Sequence, residues 1–281
     1  MNAVARSARL GLERSWIETK QFLRNPQEMV WTVLIVAIFL GVLWFQRNKE
    51  VEGISLGLLT LPSLLGMMVA QAGFSGTAGV ISYDREDGTL LRAKAIPQGI
   101  IGYIVARTAY LLNTTVINLA AVFVPALFFI DGITGVGIGG ALTIAWLFLL
   151  GLFATAPYGA IIGSLVKSSG SGFGLTFLPL AGLVAISGIF YPITAMAGWL
   201  QAVAQVFPVY WLGHGFRSVF LPDTAVAELH GSWQLGATAL ILTAWAIVGF
   251  LFAPRVLRRM ARRESGSSMQ ERKEKAMNRG Y

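Results

Sequence analysis

Paired acids, histidines, glycine-rich turns and charged runs are the patterns that do chemistry in proteins, and this chain offers one of each. Glu50 and Glu52 stand two residues apart, close enough for acid–base work, but in a short polar loop where solvated charge is the default. His214 and His230 have no acidic cluster beside them in sequence, so no metal site is expected. Residues 135–140 read G-x-G-x-x-G, which cradles a pyrophosphate when it joins a strand to a helix. Here it follows a turn between apolar runs and reads as a closely packed helix start. Residues 163–168 lack the glycine directly before Lys167 and the preceding strand that a phosphate loop needs. No nucleotide site or catalytic constellation emerges. There is no cysteine, which excludes disulfides and thiolate metal sites and leaves the redox compartment open. What remains is a charged island at residues 83–97, from Tyr83-Asp84-Arg85-Glu86-Asp87-Gly88 to Pro97. It is too polar for lipid and too patterned for a mere connector. Its chemistry is that of a docking element for a soluble partner.

The elements that position this island are apolar runs of about twenty residues, long enough to cross a bilayer. The 281 residues are 13% charged, and their mean hydropathy is +0.64. Soluble domains carry about a quarter charged residues, so the chain reads as an all-α integral membrane protein. No segment is left over for a soluble catalytic domain. Thirty-two glycines suit close contacts between membrane helices. The net charge of +8 lies in loops and tails, where it orients a membrane protein, so nucleic acid is not an expected partner. The first 28 residues mix Arg, Lys and Glu without an early apolar core, and no signal peptide is expected.

Residues 1–28 predict an amphipathic helix on the membrane surface, with Leu12, Trp16, Thr19 and Leu23 at helical spacing and Arg9, Glu13, Arg14, Lys20 and Arg24 on other faces. Asn25-Pro26 should break it. A six-span domain at 29–253 follows, with spans expected at 29–45, 54–81, 103–130, 137–166, 172–190 and 233–253. Residues 191–231, with Pro192, Pro208 and Pro222, hold two apolar stretches too short to span and read as re-entrant or interfacial helices. A basic tail occupies 254–281. With six spans, 19 of the 22 Lys and Arg residues share the side of both termini, against Arg47, Lys49 and Arg217 opposite. That predicts cytoplasmic termini, a cytoplasmic island and an external 191–231 segment.

No carboxylate falls deep inside an expected span; Asp131, Asp223 and Glu228 are read as loop residues. This argues against a proton-coupled carrier and for an outside energy source. Two spans carry polar stripes. Arg107, Leu111, Thr114 and Asn118 share one face, flanked by Asn113 and Thr115; Gln71, Ser75 and Ser82 share another, with Thr77 beside it. Such residues line a substrate path or bond between helices. Gly159 and Gly163 form a small-xxx-small packing pattern. In the island, Gly88 can end a descending helix, Thr89 can cap a new one over Leu90-Leu91-Arg92-Ala93-Lys94-Ala95, and Pro97 can stop it.

Three stretches carry a family likeness: Arg24-Asn25-Pro26; Arg85-Glu86-Asp87-Gly88-Thr89-Leu90 with Pro97; and Ser187-Gly188-Ile189-Phe190-Tyr191-Pro192 with Gly198-Trp199-Leu200-Gln201 and Phe207-Pro208-Val209-Tyr210. In their order and spacing the chain resembles the type-2 permeases of ATP-binding cassette exporters, which include daunorubicin-type drug exporters and polysaccharide exporters. The resemblance covers almost the whole chain. It implies that Asp84, Arg85, Glu86, Gly88, Thr89, Leu90 and Arg92 belong to a loop and coupling helix that meet a cytoplasmic ATPase. It makes residues 3–25 a connecting helix. It gives Tyr191, Pro192, Trp199, Pro208 and Tyr210 to external re-entrant helices. It sets the second and fifth spans beside a path between two permeases, adding Gln71, Ser75, Thr176 and Ser187 to Thr114 and Asn118 as path residues. Leu91 departs from the acidic residue many relatives carry there.

The implied function is a plasma-membrane exporter subunit moving a drug, lipid or glycolipid outward. Two copies of a separate ATPase would drive it, beside a second permease chain, identical or paralogous, and membrane lipids. ATP and Mg would bind only in the partner, with no cofactor on this chain. A membrane-embedded lipid-modifying enzyme and an accessory scaffold are the alternatives.

Overall fold

The computed structural model describes residues 2–51, 53–133, 136–166, 169–223 and 228–263. Helix α1, Ala3–Arg24, opens with Asn2 accepting the Val4 N–H, and Arg9–Glu13 and Arg14–Glu18 pairs one turn apart line it. Asn25 then ends α1 and starts α2, Pro26–Gln46: its side chain accepts the Gln27 N–H at 3.0 Å, and Pro26 takes the first helical position, where no N–H is needed. A two-residue antiparallel pairing, Glu50–Val51 with Ile54–Ser55, turns the chain back. Helix α3, Leu56–Gln71, continues through a π-helical turn at Ala72–Gly76 into α4, Thr77–Glu86. After Gly88 come α5, Thr89–Lys94; α6, Gly99–Ala126; α7, Ile138–Leu165; and α8, Ser169–Ile186. Two short helices, α9 (Gly198–Val206) and α10 (Pro208–Phe220), precede α11, Leu235–Arg263.

Among the described residues, five helical stretches are long and apolar enough to cross a membrane: 26–46, 56–86, 99–126, 138–165 and 235–257. They fall on five of the six expected spans. The expected fifth span falls on α8, of which 174–186 forms a shorter apolar helix. The turn expected at Lys167-Ser168, Gly135 of the glycine pattern and the tail beyond Arg263 lie outside the described residues.

The continuous helix α3–α4 is the axis of the fold, while α2 lies at its edge with Leu43 as its one buried residue. Glycines let the neighbours close on that axis. A Cβ at Gly159 would strike the carbonyls of Gly73 and Phe74, and one at Gly163 the carbonyl of Ala78. The small-xxx-small pattern on α7 is therefore a packing seam. Gly66 lies against the Leu212 backbone, which seats α10 on α3. Gln234, just before α11, donates its N–H to His214, next to Gly215, which abuts Leu147 of α7; eleven residues on, the Trp245 carbonyl accepts the Tyr158 O–H at 3.0 Å, so α11 runs beside α7 in the same direction.

The surface helix needs one correction. Gly11, Ser15 and Thr19 are its buried face, packed on the first turns of α6, where Gly11 meets the Gly102 carbonyl. Leu12, Trp16 and Leu23 stay exposed. Thr19 therefore belongs to the packing face and not to the apolar one, because small side chains allow helices to approach closely.

Candidate functional site

The island folds as a turn and a short helix. Gly88 ends α4 with φ +77°, in the left-handed region that suits glycine. The cap of α5 is Asp87 and not Thr89: its carboxylate accepts the Thr89 N–H and the Thr89 hydroxyl, each at 2.8 Å. Thr89 is already the first helical residue, so an acceptor two positions earlier reaches its N–H better than its own side chain can. Arg92 closes the turn from above, donating to the Asp87 carbonyl at 3.0 Å and to the Thr89 hydroxyl at 2.9 Å.

Two arginines fasten this turn to the body. Arg85 aims Nη1 at the carbonyls of Gly163, Ser164 and Val166, at 3.1, 2.7 and 3.1 Å. Those carbonyls end α7, where a cation meets unsatisfied acceptors and the negative end of the helix dipole. Arg107 of α6 clasps Asp84 with two donors, Nε at 2.7 Å and Nη2, while Nη1 donates to Glu18 of α1 at 2.7 Å. Tyr103 donates its O–H to Asp84 at 2.7 Å, and Arg14 donates to Glu18 at 2.8 Å. Ser7 donates to the Gln98 carbonyl at 2.7 Å, tying the start of α1 to the far end of the island. One cluster thus joins α1, α4 and α6 beneath the loop.

The named island residues therefore divide. Asp84, Gly88 and Thr89 are buried, and Arg85, Glu86 and Leu90 half-buried. Tyr83, Arg92, Lys94, Ile96 and Pro97 are exposed. The motif builds the turn; its neighbours present the surface.

A second ionic cluster stands at the other end of α3–α4. Arg217 of α10 donates Nε to Glu228 at 2.5 Å and Nη2 to the same carboxylate at 3.1 Å. Its Nη1 donates to Ser63 of α3 at 2.8 Å and to the Gly188 carbonyl at 3.3 Å. His214 Nδ1 lies 2.8 Å from Glu228, and His214 Nε2 accepts the Gln234 N–H at 3.0 Å. An accepting Nε2 fixes the tautomer: the imidazole is neutral and its Nδ1–H donates to the carboxylate. Burial alone would raise the Glu228 pKa. Arg217 and the His214 hydrogen bond outweigh it and bring the value down to about 2.

This cluster overturns one expectation: Glu228 is not a solvated loop residue but 5% exposed, paired with His214 and Arg217. Asp84 likewise lies fully buried within the helical stretch 56–86. The chain does hold buried carboxylates, so their supposed absence no longer argues against proton coupling. Each is paired, and pairing is what permits its burial. His214 and Arg217, three residues apart on an apolar helix, were the signal in the sequence.

Two of the expected path residues bond within their own helices. Thr114 bonds back to the Tyr110 carbonyl of its own helix, and Ser187 to that of Leu183. Asn113 donates to Thr19 at 3.3 Å, an ordinary interhelical bond. Gln71 and Asn118 are half-buried, and Thr176 is buried. The hydroxyls of Ser75, in the π-helical turn, and Thr77, just after it, are buried without hydrogen-bond partners. A recess of about 330 Å³ lies elsewhere, between Gly140 and Thr143 of α7, Ser218 and Val219 of α10, and Leu235. In the segment 191–231, Trp199 is 69% exposed, and Tyr191 is exposed while bonding to the Ala185 carbonyl. Pro192 leads into a short 3-10 turn; Pro208 opens α10; Tyr210 is buried beside Trp211 and His214.

No curated protein matches the chain. The sequence model of the ABC-2 type transporter matches residues 12–221, from α1 through both ionic clusters' helices to the end of α10. A multi-pass helical membrane body whose island is braced to three helices, matched over most of its length, belongs to the ABC-2 type transporter family, as a permease subunit and not an enzyme.

Proposed function

We propose that this chain is the membrane subunit of an ATP-driven exporter that moves an amphipathic or hydrophobic cargo, a drug, lipid or glycolipid, outward across the plasma membrane. Family members work with an ATP-binding subunit. Here two copies of a separate ATPase would supply ATP and Mg, and α5 with Arg92, Lys94 and Ile96 would meet them. A second permease, identical or paralogous, would sit against α8, whose Gly174 and Gly182 face open space. Both termini and the island would be cytoplasmic, and 191–231 external.

The observation that carries this reading is the bracing of the island. A push on α5 reaches α7 through Arg85 and reaches α1 and α6 through Asp84, Arg107 and Glu18. Rigid elements that share ionic contacts move together between two states, which is what coupling to a motor requires. ATPase co-purification and vesicle export with Gly88→Val and Glu86→Ala chains test it. Lost assembly or uncoupled export is the expected result. Wild-type export by both variants in an intact complex would reject it. A purified chain with lipid-transferase activity and no ATPase partner would favour the enzyme alternative.

A further inference from the structure

The last two turns of α11 carry a pattern that the transport reading leaves unused. Arg255, Arg258, Arg259, Arg262 and Arg263 recur at helical spacing. At about 100° per residue they occupy one arc of roughly 140°. Val256, Leu257, Met260 and Ala261 occupy the opposite arc. Charge on this helix is therefore sorted to one side, which orienting the chain by charge count alone would not require. Arg255 and Arg259 are exposed.

Depth follows from length. Helix α11 has 29 residues, about 43 Å at 1.5 Å per residue, close to the roughly 40–45 Å of a bilayer with its headgroups. About 20 residues from Leu235 fill the hydrocarbon core. Residues 255–263 then pass through the headgroup layer on the side where α11 ends. Because α11 runs with α7, and Arg85 of the island caps the end of α7, that is the island's side.

We infer that the arginine face of α11 binds the anionic headgroups of membrane lipids in the leaflet beside the island. Guanidinium groups pair with phosphates through two donors, and basic clusters directly after a span concentrate anionic lipid. The apolar arc would turn toward the acyl boundary or the bundle.

The test uses the full chain in bilayer discs of mixed phosphatidylglycerol and phosphatidylcholine, counting both lipids retained per chain after gentle extraction. The wild type should enrich phosphatidylglycerol. Replacing Arg258, Arg259, Arg262 and Arg263 by Gln should cut that enrichment by about tenfold or more. A rearranged chain, Arg258→Met with Met260→Arg and Ala261→Arg with Arg262→Ala, keeps the charge count but breaks the face, and its enrichment should also fall. Because the chain lacks cysteine, labelling of an introduced Asn48→Cys reports that insertion is unchanged. Wild-type enrichment in either variant overturns the inference. So does a four-Gln chain that keeps its lipid preference but loses the ATPase, because the face would then serve a protein.

Discussion

The two ionic clusters stand roughly 30 Å apart along one helix, Ser63 near its start and Asp84 near its end, about the thickness of a hydrocarbon core. They solve the same problem differently. Around Glu228 every charged side chain is at most 4% exposed, and one carboxylate sits between an arginine and a neutral histidine. Around Arg107 the order reverses: one arginine lies between two carboxylates, and Glu18 and Arg107 keep 19% and 17% of their surface. The first is dry; its ionic pair, Arg217 and Glu228, stands eleven positions apart in sequence, and Arg217 also reaches Ser63 of α3. The second is partly wet and joins helices far apart in sequence. A dry pair with each donor matched is a lock. A shared arginine at a wet edge can let one partner go, which suits an element that moves.

The largest expected effect breaks the lock. Glu228→Gln leaves Arg217 buried without its anion and should lower stability by about 3–5 kcal/mol. Thermal unfolding of the purified chain measures it. A loss below about 1 kcal/mol would mean that water reaches this cluster and that the contrast with the Arg107 cluster is false.

Acid reads the same lock more gently. The Glu228 pKa is depressed, from 4.5 to about 2, so its stabilisation is fully present above pH 4.5 and is lost as pH falls toward about 2. The wild type should therefore lose about 3 kcal/mol more than Glu228→Gln across that window. Equal acid sensitivity in the two chains would show that the carboxylate is not held ionised.

At the island end, Arg107→Met should cost about 2–3 kcal/mol, because buried Asp84 loses two donors while Tyr103 keeps one. Removing Glu18 instead, as Glu18→Gln, should cost under about 1 kcal/mol, since Arg107 retains Asp84 and the site is partly solvated. A ratio near one between these two losses would erase the asymmetry on which the moving-edge reading rests.

Much of this was legible beforehand. Apolar run length placed the helices that pack the bundle, because lipid demands long helices that satisfy their own backbone. Gly88, Asn25 and Pro26 marked real helix ends, since each imposes local backbone geometry. The ionic partners were not legible. The spacing of His214 and Arg217 marks a polar face on an apolar helix, but only tertiary burial shows Glu228 as their partner. Asp84 read as part of a docking island, although its carboxylate faces inward to Arg107. The stripe on α6 was visible, but its partners Glu18 and Thr19 lie about ninety residues away along the chain, on a helix read as resting on lipid.

A modest stability effect should carry the sharpest functional consequence. Arg85→Met keeps the apolar stem but removes the donor to three carbonyls at the end of α7. A cation at a helix C-terminus and its charged hydrogen bonds contribute about 1–2 kcal/mol, less than either ionic cluster. If the island transmits force, this variant should assemble with the ATPase and unfold almost normally, yet stimulate ATP hydrolysis or export several-fold less. Arg85→Lys, which keeps the charge with a shorter reach, should recover part of that loss. An unaltered export rate in Arg85→Met would separate α7 from the coupling route and shift it to the contacts with α1 and α6, through Asp84, Arg107 and Glu18 and through Ser7 with Gln98.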